Sequence, residues 1–127
     1  MVDAACEALT MQISTHFHRH EFACRCGCGF DTVDAELLTV LQGVRDHFKA
    51  PVTITSGCRC VSWNRESGGR PQSMHLLGRA ADIITVSPLH AVYVWLCKQY
   101  PFRLGLGLYP SFIHIDTRTG PCARWTP

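Results

Sequence analysis

Long apolar runs are missing from this sequence: no stretch approaches the ~20 consecutive apolar residues of a membrane-spanning helix, so no membrane insertion is expected. The pattern of an export signal is missing too. The opening MVDAACEALT has an early acid and no basic stretch ahead of an apolar core, so the expectation is a protein made in the cytoplasm without a signal peptide. Blocks of like charge are absent, since the 12 basic residues are scattered and the formal net charge is only +2. That excludes a nucleic-acid arm or a polybasic membrane patch and leaves at most a weak attraction to anionic cell-wall polymer. A basic face with interleaved aromatics is also lacking, which sets aside a nucleic-acid module. No repeat, low-complexity tract or internal linker divides the chain. Its 127 residues suit one compact domain over residues 14–127, expected to be a monomer, after an N-terminal segment over residues 1–13 with few pattern signals that is expected to be mobile.

Cysteine, by contrast, is abundant: Cys6, Cys24, Cys26, Cys28, Cys58, Cys60, Cys97 and Cys122. Without an export signal the default is reduced thiols or metal ligands, while export by a signal-independent route would permit disulfides. Cys24, Cys26 and Cys28 alternate, so in an extended segment their thiols share a face and could hold a second, structural zinc with Cys58 or Cys60. The spacing lacks the usual C-x-x-C knuckle, and disulfides or plain buried thiols are the expectation there. His16, His18 and His20 also alternate and are expected on a solvated edge strand rather than around a metal.

Asp31 or Asp34 can cap a helix in which Leu37, Leu38, Leu41, Val44 and Phe48 recur at helical spacing, ending near Lys49 with Pro51 beyond it. Val52 to Thr55 is short, β-branched and followed by Ser56-Gly57, the pattern of a strand entering a turn. Cys60 to Leu77 is rich in Ser, Gly, Asn and Pro and reads as a long functional loop. Ala80 to Val86 reads as a buried strand, and Ser87-Pro88 as the start of a helix bearing Leu89, Val92, Tyr93 and Leu96. Strands near Arg103 to Tyr109 and Phe112 to Asp116 complete an α+β domain, a mostly antiparallel sheet with helices packed on it.

Chemistry concentrates in two places. In SMHLLGRAAD, His75 precedes a strand and Asp82 lies inside it among Ala80, Ala81, Ile83 and Ile84, where an ionised carboxylate is costly unless a cation or several donors satisfy it. In FIHID, the strand period of two puts His114 and Asp116 on one face. Two imidazoles and a carboxylate are a common three-ligand zinc set with a fourth position open to water, suited to amide hydrolysis. Spacing alone equally allows a loop histidine, a strand-end cap and a satisfied core histidine.

The stretch SGCRCVSWNRESGGRPQSMHLLGRAAD, with the later His114-x-Asp116, closely resembles the zinc D-alanyl-D-alanine carboxypeptidase family, including its small phage endolysin-like members. Ser56, Gly57, Arg59, Asn64, Gly68, Gly69, Ser73, His75, Gly78, Ala80, Asp82, His114 and Asp116 carry the match, which spans roughly residues 14–126. The resemblance implies the fold shared by the hedgehog signalling domain and the vancomycin-resistance dipeptidases. It further implies zinc (Zn2+) on His75, Asp82 and His114, and hydrolysis of peptidoglycan stem peptides or cross-links by a D-alanyl carboxypeptidase or endopeptidase acting on the cell wall once released. Arg59 aligns with the substrate-binding arginine that steadies charge on the scissile carbonyl oxygen, and Ser73 either contacts substrate or holds its loop. Relatives carry an acid three residues before the last zinc histidine or a histidine two before it, where this chain has Ser111 and Phe112. Asp116 is then the candidate base, or else a carboxylate orienting His114. That departure keeps a second function open, a zinc-stabilised binding module of the same fold with little or no turnover.

Overall fold

The computed structural model describes residues 11–127. Cys6 and residues 1–10 of the expected N-terminal segment lie outside the described residues, whereas Met11 and Ile13 are tied down by Arg19 N–H donating to Met11 O (2.8 Å) and Ile13 N–H to Phe17 O (2.9 Å).

The first long helix, α1, runs Ala35–Phe48. Asp34 is its cap, Oδ2 accepting from Leu37 N–H at 3.1 Å, and Lys49 ends it in the left-handed region at φ 52°, just ahead of Pro51 as the sequence suggests. Leu37, Val40, Leu41 and Val44 are buried, with Leu38 and Phe48 flanking them. Strands β1 (Val52–Ser56), β2 (Ala80–Thr85), β3 (Gly105–Leu108), β4 (Ile113–Asp116) and β5 (Ala123–Trp125) form one sheet in the order β1, β2, β4, β3, β5. All neighbours are antiparallel except β3 and β5, so the mostly antiparallel α+β architecture is as expected.

The sheet has one greasy face and one chemical face because side chains alternate along each strand. Ile54, Ala81, Ile83, Leu106, Ile113 and Ile115 point into the core against α1 and a second long helix, α3 (Leu89–Gln99). Each fully buried isoleucine there is worth ~1.5–3 kcal/mol. His47 of α1 stacks on Trp95 of α3 with centroids 4.6 Å apart. On the opposite face the register aligns Ser56 with Asp82, Asp82 with His114, His114 with Gly107, and Gly107 with Trp125. One row of residues therefore crosses all five strands, and a bulge between Ile54 and Ser56 brings Ser56 into it.

Four local expectations need correction. The segment from Cys60 to Leu77 is not all loop: it contains a short helix, α2 (Val61–Glu66), and a 3-10 turn, Met74–Leu77, both too short to display a period. His16, His18 and His20 are not on an edge strand. His18 makes only an isolated bridge to Gln12 and caps a 3-10 turn, Arg19–Phe22, where Glu21 Oε2 accepts from His18 N–H at 2.7 Å. Cys24, Cys26 and Cys28 lie in a turn rather than an extended segment. At the head of α3 the cap position falls on Pro88 instead of Ser87.

Candidate metal centre

Asp82 and His114 face each other across β2 and β4, and the Met74–Leu77 turn swings His75 over them. Ser73 starts that turn, its hydroxyl oxygen accepting from His75 N–H at 3.2 Å, so Ser73 holds the loop. His75 Nε2 lies 3.3 Å from Asp82 Oδ1, and His114 Nδ1 3.0 Å from the same oxygen. The three donor atoms fall within 4.8 Å of one another. Zinc bonds of about 2.0–2.2 Å at tetrahedral angles put neighbouring donors about 3.3–3.6 Å apart, so small adjustments let the two imidazoles and the carboxylate fit a single zinc.

Each histidine is held in the tautomer this requires. His75, only 2% exposed, donates from Nδ1 to Gly57 O at 2.6 Å, which leaves Nε2 free to ligate. His114 is reversed: Nε2 donates to Asp116 Oδ2 at 2.8 Å, and Nδ1 faces the site. A ligating imidazole with its remote N–H on a carbonyl or carboxylate is the usual support of a metal histidine. Burial alone would raise the Asp82 pKa, but His114 and His75 hold its carboxyl below the usual carboxylate range. Burial likewise opposes charge on His114, yet Asp116 and Asp82 raise its pKa. The Asp82 carboxylate is thus held ionised between the two imidazoles.

Asp116 is fully buried. Beyond His114 it accepts from Arg118 through the backbone N–H and Nε to Oδ1 (3.1 and 2.8 Å) and Nη2 to Oδ2 (2.7 Å). Against its burial, Arg118 and then His114 keep its carboxyl well below the ordinary range. Space for this pair comes from glycine. A Cβ on Gly105 would sit 2.5 Å from Arg118 Nε and both Asp116 oxygens, and one on Gly107 would sit 2.4 Å from Trp125 Nε1. Trp125 lies over Gly107, its ring 5.3 Å from that of His114 and beneath the Arg118 guanidinium at 5.2 Å.

Arg59 reaches the other side of Asp82, with Nη2 3.4 Å from Oδ2. It is aimed by Nε donating to Ser56 Oγ (3.1 Å) and Nη1 donating to the buried Asn64 Oδ1 (3.3 Å). Arg59, His75, Asp82, His114, Asp116 and Arg118 line a cleft of about 1110 Å³, with Arg70 and Tyr109 on its walls. Its only acids among the described residues are Asp82 and Asp116.

A model of the family described as peptidase M15 matches residues 15–116. The chain belongs to that family. That family is one of metallopeptidases, and it implies a peptide substrate. His75, Asp82, His114, Arg59 and Asp116 fall inside the matched span, while Arg118 and Trp125 lie beyond it. Among curated proteins no match is found. The structure brings His75, Asp82, His114, Arg59 and Asp116 together in the cleft, and with them Arg118, Trp125 and Tyr109, which the sequence does not single out. The one available signal was aromatic and basic residues after a strand already assigned to the site.

Proposed function

We propose that this M15 peptidase is a zinc enzyme that hydrolyses peptide bonds in peptidoglycan stem peptides or cross-links, as a D-alanyl carboxypeptidase or endopeptidase. The observation that carries the reading is the convergence of His75, Asp82 and His114 at the floor of an open cleft with Arg59 beside them. Zinc in that set supplies Lewis acidity and an acidified water. The chain's own residues do the rest. Gly57 O and Asp116 fix the imidazoles, and Arg59 offers a guanidinium to a substrate carboxylate or to charge developing on the scissile carbonyl oxygen. Exposed Arg70 gives the cleft a further cation for anionic stem peptides. The setting that the resemblance suggests is a phage endolysin reaching the wall after release from the cytoplasm.

Of the two roles open to Asp116, its bonds to His114 and Arg118 support that of an orienting carboxylate. Asp116→Asn is expected to lower zinc affinity ~10 to 100-fold, with activity recovering as zinc is raised. Collapse of turnover at unchanged zinc affinity would instead make Asp116 the base.

The same commitment of Asp116 favours a second reading, a zinc-stabilised binding module, since no other free acid lines the cleft among the described residues. Mass spectrometry of muropeptides incubated with zinc-loaded protein decides between them. Loss of a terminal alanine marks a carboxypeptidase, and conversion of cross-linked dimers to monomers an endopeptidase. Unchanged muropeptides that nevertheless bind the protein would overturn the enzyme reading.

A further inference from the structure

Away from the cleft floor, four thiols converge that the peptidase chemistry does not use. We infer that Cys24, Cys26, Cys28 and Cys60 hold a second metal, a structural zinc that clamps the turn at residues 24–30 to the segment carrying Arg59.

The four sulfurs lie within 4.8 Å of one another, with Cys24 and Cys26 Sγ 3.4 Å apart and Cys26 and Cys60 Sγ 3.6 Å apart. Zinc–thiolate bonds of about 2.3 Å at tetrahedral angles place sulfurs about 3.8 Å apart. A disulfide needs about 2.05 Å between one pair and leaves the other two sulfurs no reason to join it. Convergence of four, rather than pairing of two, is what a tetrahedral ion demands.

The backbone around the sulfurs is arranged for thiolates. Cys60 N–H donates to Cys24 Sγ at 3.4 Å, and Trp63 N–H donates to Cys60 Sγ at 3.4 Å, where Cys60 caps α2. The turn is closed by Cys24 N–H donating to Phe30 O (2.7 Å) and Gly27 N–H to Cys24 O (3.2 Å). Gly27 at φ +82° supplies the left-handed residue that lets Cys26 and Cys28 come round to the same centre. Arg25, between two ligands, points away and pins the turn to β1 by donating to Ile54 O at 2.8 Å. Cys58, the sequence's other candidate for the fourth ligand, is turned aside: it is buried and donates its S–H to Phe30 O at 2.9 Å. Spacing alone could not make that choice.

Cys60 follows Arg59 directly, and Cys58 N–H donates to Phe22 O at 3.0 Å. An ion shared by Cys60 and the three turn cysteines therefore staples two segments more than 30 residues apart in sequence (Cys26 to Cys60, 34), one of them next to the arginine. Because such a site exists only in the folded chain, its binding energy adds to folding.

The test uses the full chain, purified under a phosphine reductant, with zinc and then cobalt(II) as probes. Wild type is expected to carry two metal equivalents, and the His75→Ala/His114→Ala double variant one. Since no thiol lines the cleft, cobalt in that double variant should show a thiolate-to-cobalt charge-transfer band that only the cysteine site can give. Adding Cys26→Ser or Cys28→Ser, both at exposed positions that the fold should tolerate, should weaken the band and lower metal affinity, while Cys97→Ser leaves both unchanged. One equivalent in wild type that the histidine variant loses, with no charge-transfer band, would overturn the inference. So would disulfides among the four cysteines, detected by alkylation without reduction and peptide mass spectrometry.

Discussion

His75→Ala and His114→Ala are each expected to lose one metal equivalent relative to wild type and to drop peptide hydrolysis below detection. Neither imidazole has a substitute, because the only acids lining the cleft among the described residues are Asp82, already in the set, and Asp116, engaged by His114 and Arg118. The two variants should differ in stability. Removing His75 strips the buried Gly57 carbonyl of its 2.6 Å donor, a loss of ~1–3 kcal/mol if nothing replaces it. Removing His114 leaves Asp116 still held by Arg118. Elemental analysis, thermal unfolding and muropeptide assays on both proteins check all three expectations together. Full metal content in either variant would sink the assignment of the centre.

Arg59→Ala should retain the cleft metal and the fold and lose on the order of 100-fold or more in turnover, the usual cost of deleting one charge-stabilising donor. Arg59 also touches Asp82 Oδ2 at 3.4 Å, so a purely supporting role is the physical rival. Zinc titration separates the two. A supporting arginine would show up as weakened metal binding with activity restored by excess zinc, and a substrate-facing one as a lasting kinetic loss at full metal occupancy. Arg59→Lys should recover only part of the rate, because lysine keeps the charge but not the planar fork that Ser56 and Asn64 aim.

What could be read in the residues was whatever has a long period or a strong chemical type. Fourteen residues of α1 repeat their apolar positions often enough to be seen, and Asp34 announces the start. Asp82 stood out because a carboxylate between alanines and isoleucines demands a partner, while its grouping with His75 and His114 is what the family resemblance implied. Hidden from the sequence were elements too short to repeat their own period twice. α2 spans six residues, the turn that delivers His75 spans four, and β5 spans three. β5 is defined only by lying parallel to β3, a partner some 18 positions earlier in the chain (Gly105 opposite Ala123). Alternation misled at His16, His18 and His20, where the Glu21 cap wins locally over the strand pattern. The role of Asp116 was equally out of reach. Sharing a face with His114 follows from the period, but which imidazole nitrogen it meets depends on ring orientation, and that is decided by Gly105, Gly107 and Trp125 leaning in from neighbouring strands.

The single row from Ser56 through Asp82, His114 and Gly107 to Trp125 makes the centre a check on strand alignment. Slipping β4 by one residue against β2 would turn Ile113 and Ile115 out to the cleft and drive His114 and Asp116 into the core. No intermediate alignment keeps even a crippled version of the site, because side chains have only two faces to choose between. Metal capture is thus an all-or-none report that the middle of the sheet has been assembled in its native pairing.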